Sequence, residues 1–290
     1  MKEKPPVNFG GLEKEFSDLK TSPIVILPVP FDRTSTWRRG AKKGPRAIIE
    51  ASRNLELYDI ETDSEVYKKG IYTHRGIKAL TPERMISKVY HEVKQLLNAQ
   101  KFVVILGGDH TVSIGGIRAF AETWDEICVL HLDAHTDLRD SYEGTKYSHA
   151  CVMARVREVI PDTVSVGIRS TDSTELKNLD RERTFYAEEV LCSDAWIERV
   201  IEKLKSNVYV TIDLDVFDPG IMPSTGTPEP GGLDWYQVTG LLREVSKKRK
   251  IVGFDVVELC PSENPAPDFL AAKLVYKVLS YVYHRKFQEG

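Results

Sequence analysis

The chain has 290 residues and a net charge of -3 from 40 basic and 43 acidic side chains, with 41% of residues hydrophobic and 29% charged. These proportions are ordinary for a folded protein and exclude disordered and fibrous classes, and the mixed charge leaves no basic footprint for nucleic acid or an anionic membrane. The length is enough to bury a substantial core, and one domain over residues 1–290, with residues 1–22 as an N-terminal extension, is expected.

The first residues, Met1-Lys2-Glu3-Lys4-Pro5-Pro6, carry no apolar run behind their charges, and no stretch of 18 apolar residues follows anywhere. Secretion and membrane spanning therefore lack support, and a cytoplasmic protein is expected. The first β-branched run is Ile24-Val25-Ile26-Leu27, followed by helical periodicity over Pro45–Leu57, a short strand near Ile71 and a helix over Pro82–Leu97. Next come strands over Phe102–Leu106, Ile127–Leu132 and Thr163–Ile168, and a short one near Phe185. A helix over Ala195–Leu204, a strand over Val208–Ile212, a helix over Asp234–Val245, a strand over Ile251–Val257 and a helix over Pro267–Tyr283 complete the series. Strands alternating with helices predict βαβ units around a parallel sheet. The Pro- and Gly-rich stretch Asp218–Gly232 lies within that alternation and is expected to be a long functional loop. The four cysteines, Cys128, Cys151, Cys192 and Cys260, form no CxxC pair, which fits a reducing compartment and gives no zinc ribbon.

Three predicted strands end in metal-type ligands, and the carboxyl ends of parallel strands are where sites assemble. Val104-Ile105-Leu106 runs into Gly107-Gly108-Asp109-His110, where small residues permit a tight turn; a single histidine there is more often structural than a ligand. Leu130-His131-Leu132 runs into Asp133-Ala134-His135-Thr136-Asp137, and residues i, i+2 and i+4 of an extended segment share a face and can converge on cations. Read as a solvated polar loop, the same segment would follow oddly on so apolar a run, and buried unpaired carboxylates are costly. Val210-Thr211-Ile212 runs into Asp213-Leu214-Asp215, a DxD that also occurs where one cation binds a sugar-nucleotide diphosphate. Together, His110, Asp133, His135, Asp137, Asp213 and Asp215 are too many ligands for one ion. They suit two divalent cations about 3.5 to 4 Å apart that activate one water. Mixed nitrogen and oxygen donors without thiolate favour manganese, with cobalt, nickel, zinc and iron as alternatives.

These segments resemble the signatures of the ureohydrolases, the family that includes agmatinase and arginase. Gly107–His110, Asp133–Asp137 and Thr211–Pro219 are similar to the family's three motifs in the same order, and Gly226-Thr227-Pro228-Glu229-Pro230-Gly231-Gly232 looks more like agmatinase than arginase. With Pro30-Phe31-Asp32 and Gly40 to Pro45, the resemblance covers most of residues 23 to 280. It implies a three-layer α/β/α fold with a parallel sheet of about eight strands, and a homo-oligomer, trimer or hexamer. It further implies that His110 and Asp137 complete one of two Mn2+ sites, that His135 and Asp215 complete the other, and that Asp133 and Asp213 bridge them. Glu258 would receive the guanidinium of a small cationic substrate, and His149 would shuttle protons to the leaving amine. Both roles are chemically sound: a carboxylate accepts paired hydrogen bonds from a guanidinium, and an imidazole exchanges protons near neutral pH.

The reaction expected is cleavage of a guanidino group to urea and an amine, agmatine to putrescine first, with aminopropylagmatine, guanidinobutyrate and arginine as alternatives. Arginase-like relatives carry an asparagine just after the second motif for the substrate's α-carboxylate; here Leu138-Arg139-Asp140-Ser141-Tyr142-Glu143 has none. Asp140 and Glu143 would favour a cationic tail, Arg139 a carboxylate, and all three also read as solvated loop charges. Ala150 stands after His149 where many relatives have glycine. Two other classes compete: a binuclear phosphoesterase, for which only Gly107-Gly108 offers a phosphate contact, and a non-catalytic metal-binding relative, against which His149 and Glu258 are both present.

Overall fold

Aliphatic and β-branched runs form an eight-stranded, all-parallel sheet among residues 7–192 and 195–284, the part of the chain that the computed structural model describes. Residues 1–6 of the expected N-terminal extension lie outside it. The first half of the chain gives β1 (Ile24–Val29), α1 (Gly44–Ser52), β2 (Ile71–Thr73), α2 (Pro82–Asn98), β3 (Phe102–Gly107), α3 (Val112–Ala121) and β4 (Ile127–Leu132). The second half gives α4 (Val152–Arg157), β5 (Thr163–Ile168), β6 (Thr184–Tyr186), α5 (Ala187–Cys192), α6 (Trp196–Lys203), β7 (Asn207–Asp213), α7 (Trp235–Lys248), β8 (Lys250–Val257) and α8 (Ala266–Tyr283). Strand order is β2-β1-β3-β8-β7-β4-β5-β6, so β3, β8, β7 and β4 lie side by side at the centre although they are scattered along the chain.

Alternation along each strand divides the core into two apolar layers. Ile26, Val104, Leu130, Val210 and Phe254 pack with α1, α6, α7 and α8, whereas Leu27, Ile105, Val129 and Tyr209 pack with α2, α3 and α4. Helices therefore cover both faces of the sheet, as parallel sheets require, and the expected three-layer fold is present. No helix among the described residues is long and apolar enough to cross a membrane.

Two expectations about elements need correction. The first helix stops at Ser52 rather than Leu57, where the Asn54 side-chain amide turns back to cap the Glu50 carbonyl at 3.3 Å. The helices α3, α4 and α5 were not expected. In α3 the periodicity is broken by Gly115-Gly116, which serve packing: a Cβ at Gly115 would sit 2.5 Å from the Ile86 carbonyl oxygen of α2, so the two helices could not approach as closely.

Candidate metal centre

The carboxyl ends of the four central strands bring the candidate residues together. β3 leads into Gly107-Gly108-Asp109-His110 along a path that only glycine permits, because a Cβ on Gly108 would fall 1.8 Å from the Phe31 carbonyl oxygen. The small residues thus serve a close backbone approach more than a turn. The Gly108 and Asp109 amides donate to Val29 and Phe31, at 3.0 and 2.7 Å, and lock the end of β3 to the chain after β1. Asp109 is not aimed at the cluster. Its Oδ2 accepts from the Thr34 amide and hydroxyl, both at 2.9 Å, and so holds the loop that carries Ser35, Thr36 and Trp37 over the site.

His110 is 1% exposed, and its Nδ1 has no hydrogen-bond partner. It faces three carboxylate oxygens: Asp133 Oδ2 at 3.2 Å, Asp137 Oδ2 at 3.2 Å and Asp213 Oδ2 at 3.4 Å. Asp133 turns its other oxygen toward His135, 3.5 Å from Nδ1, and His135 Nδ1 lies 2.9 Å from Asp215 Oδ2. Backbone amides fix these carboxylates. His135 N donates to Asp133 Oδ1 at 2.6 Å, Asp215 N to Asp213 Oδ1 at 2.9 Å, and Ala134 N to Asp215 Oδ1 at 3.0 Å. Asp137 does not follow simple alternation, because its backbone holds a left-handed φ of 51°. That turn aims its carboxylate back at His110, and a non-glycine residue pays of order 1 kcal/mol for it.

Charge in this cluster is lopsided. Burial opposes a positive His110, yet Asp133, Asp137 and Asp213 hold its imidazole well above its ordinary value. His135 is likewise carried against burial by Asp215 and Asp133, up to about 12. Asp213 moves the other way: burial and the charges of Asp215 and Asp133 lift it well above the carboxylate range. Protonated imidazoles are the compensation these contacts supply. Divalent cations between the ring nitrogens and the oxygens would supply more, and a nitrogen-and-oxygen donor set of this composition suits them. Among the described residues, two groups are close enough to hold an ion, His110, His131, Asp133 and Asp137 in one and Asp133, His135 and Asp215 in the other, sharing Asp133.

His131 was not among the expected site residues. It is fully buried on β4, its Nε2 2.8 Å from Asp133 Oδ2 and its Nδ1 3.1 Å from Ser165 Oγ, so it fixes the shared carboxylate from behind. A histidine two residues before Asp133 in an otherwise apolar strand was the available signal.

A cavity of about 270 Å³ opens over the cluster, lined by His110, His135, Asp137, Asp213, Asp215, His149, Glu258 and the Ser35–Arg38 loop. Glu258, at the end of β8, has a left-handed φ of 65° and is 7% exposed. Its Oε1 accepts from His110 N at 2.7 Å, while Oε2 faces the space beside Gly226. Burial, reinforced by Asp109, raises its carboxyl well above the ordinary range. His149 lines the cavity edge-on to Tyr142, its backbone amide donating to Thr34 Oγ1 at 3.1 Å, and burial lowers its pKa although Asp137 opposes this. Ala150 also lines the cavity, and its carbonyl accepts from Arg139 N at 3.2 Å.

The two proposed tail contacts differ from expectation. Arg139 borders the cavity but is engaged elsewhere: Nε lies 3.2 Å from Glu175, Nη2 lies 3.3 Å from Asp172, and the guanidinium stacks 4.6 Å from the Tyr142 ring centre. Asp140 does not line the cavity. It is held outward by Arg155 at 2.7 Å with its side chain 85% exposed, because the turn through Asp137 rotates the next residues away from the cluster.

The chain matches the model of the arginase family over residues 22–280. It is 37% identical over 271 residues to an N(1)-aminopropylagmatine ureohydrolase of Synechocystis sp., covering 89% of this chain and 88% of that protein. It is 32% identical over 268 residues to an agmatinase of Pyrococcus horikoshii, covering 90% and 93%. Among solved structures, the agmatine ureohydrolase of Thermoplasma volcanium superposes with a TM-score of 0.88 at 30% identity, covering 99% of this chain and 97% of that one.

Proposed function

The chain belongs to the arginase family and is a ureohydrolase, and we propose that it cleaves an amine-tailed guanidine, agmatine or its N-aminopropyl derivative, using two Mn2+ ions. The observation that carries this reading is the shared carboxylate of Asp133, one oxygen turned to His110 and the other to His135. His110 and Asp137 would complete one site, His135 and Asp215 the other, with Asp133 and Asp213 between them. The unpartnered, buried Nδ1 of His110 facing three carboxylate oxygens fits such an ion. When bound, the cations supply a water activated at neutral pH and polarise the carbon it attacks.

The side chains supply the rest. Glu258 keeps Oε2 free beside Gly226, where the absence of a side chain leaves room for a planar guanidinium to lie against the carboxylate. Its other oxygen is anchored by the His110 amide, so the guanidinium is oriented relative to the metal ligands by one hydrogen bond. His149 stands at the cavity wall with its basicity lowered by burial, and its imidazole can take a proton and return it to the departing nitrogen. Arg139 is neutralised by Asp172 and Glu175 and is not a free cation for an α-carboxylate, which favours amine-tailed guanidines over arginine and guanidinobutyrate. Catalysis by one domain spanning the chain, assembly as a trimer or hexamer and a cytoplasmic role in polyamine supply belong to the same reading.

The test is urea release by Mn2+-loaded protein from agmatine, N-aminopropylagmatine, guanidinobutyrate and arginine side by side. Turnover of the first two well above the others is the expected result. Preference for a carboxylate-tailed substrate would overturn the assignment of the tail, and no urea from any of the four would overturn the activity.

A further inference from the structure

Alternation along β7 sends Val208, Val210 and Ile212 to one apolar layer and leaves Tyr209 and Thr211 on the other face, where α3 packs. That face would be filled most simply by aliphatic side chains. It instead holds a buried polar chain: Tyr209 OH donates to Asp255 Oδ2 at 2.8 Å, Thr211 Oγ1 donates to Asp255 Oδ1 at 2.7 Å, and all three residues are fully buried. Thr211 and Asp255 are direct partners across β7 and β8, so the sheet register itself brings them together. Burying a carboxylate in an apolar layer is costly unless each of its oxygens is bonded. Here both are, and Thr211 Oγ1 has two further neighbours, His110 Nε2 at 2.9 Å and, more distantly, Ser113 Oγ at 3.4 Å.

The donor count decides the direction of that last bond. Asp255 as a carboxylate has no proton to give, and Thr211 has a single hydroxyl proton, which the Asp255 oxygen at 2.7 Å takes in preference to the neutral Ser113 hydroxyl at 3.4 Å. Thr211 Oγ1 is left as an acceptor, so His110 Nε2 must be the donor. We propose that Thr211, backed by Asp255 and Tyr209, is a positioning residue that fixes His110 as its Nε2–H tautomer and thereby presents the Nδ1 lone pair to one cation of the pair. The inference rests on the two-metal reading above and adds to it three residues that do not line the cavity. It also explains why polar groups are retained in this layer: their bonds terminate on the imidazole at the end of β3, on the side away from Asp133, Asp137 and Asp213.

The experiment is titration of chelator-treated protein with Mn2+ alone, followed by calorimetry, for wild type, Thr211→Val, Thr211→Ser and Asp255→Asn. Wild type is expected to take up two ions per chain. Thr211→Val keeps the side-chain shape but removes the acceptor, and should weaken one ion by about 10- to 100-fold while leaving the other unchanged. Thr211→Ser should restore it. If Thr211→Val does not fold, Asp255→Asn serves in its place, with the same single-ion weakening expected. Both ions bound at wild-type affinity in the valine and asparagine variants, or both weakened equally with no rescue by serine, would overturn the positioning role alone. A wild-type protein that takes up no Mn2+ would overturn the metal reading beneath it.

Discussion

Two clusters of acidic side chains sit on opposite sides of the balance between charge and partner. At the edge of α8, Asp59 and Glu61 meet Lys277 and Arg243: Lys277 Nζ lies 3.0 Å from both oxygens of Asp59 and 2.7 Å from Glu61, and Arg243 lies 2.8 Å from Glu61. Two acids face two permanent cations. At the strand ends, Asp133, Asp137, Asp213, Asp215 and Glu258 are met by imidazoles and backbone amides, and two of them stand on left-handed backbone. The first cluster is complete in itself and does structural work. The second concentrates negative charge and strain, which a fold tolerates where an external cation is to complete the site.

The sharpest way to separate the two is to remove one charge from each. Asp213→Asn keeps the oxygen that accepts from the Asp215 amide but removes a carboxyl group whose ionisation burial, Asp215 and Asp133 all oppose. Urea release should fall on the order of 10³-fold or more, Mn2+ content should drop, and the metal-free variant should melt at or above the wild-type temperature. A metal-free variant that melts several degrees lower would mean the charge excess is not there. Lys277→Met is the opposite case, since it strands Asp59, only 1% exposed, without its cation. The expected cost is about 3 kcal/mol, seen as a midpoint lowered by roughly 6 °C, with Mn2+ stoichiometry unaltered. Loss of metal in that variant would show that the two clusters are coupled and break the comparison.

Sequence made the strand-end cluster more legible than the one beside α8. Strand-end ligands are visible because three apolar runs each stop at a polar triplet or pair, and His110, Asp133, His135, Asp137, Asp213 and Asp215 do converge. Alternation alone does not assemble the second motif. Alternation carries Asp133 and His135, but Asp137 arrives through a left-handed turn that no period predicts, and the same turn swings Asp140 out to Arg155. His131, Thr211 and Asp255 were hidden inside strands because their importance depends on which strands are neighbours, and β4, β7, β8 and β3 are adjacent only through long crossovers. Lys277, Asp59 and Glu61 were unreadable for the same reason: Lys277 and Asp59 lie 218 residues apart. Helix α3 was masked by glycines whose purpose is contact with α2.

The finest difference between the clusters concerns pH. Burial by itself would push the Glu61 carboxyl up, but Lys277, Tyr281 and Arg243 more than offset it and bring it down to about 2. Because the folded value lies below the unfolded one, near 4.5, ionised Glu61 stabilises the fold above that pH, and the contribution is lost as pH falls toward 2. Glu61→Gln lacks the contribution at every pH. The stability gap between wild type and the variant, measured by urea unfolding, should therefore be largest near pH 6 and shrink by pH 3. With a third of the side chain exposed, solvent screening keeps the gap below about 1 kcal/mol. A gap that stays flat would show that Lys277 and Arg243 do not favour the ionised form of Glu61, and one that widens would reverse the sign of the effect. Either result would remove the contrast with the strand-end carboxylates, whose charge the fold's own cations leave unbalanced.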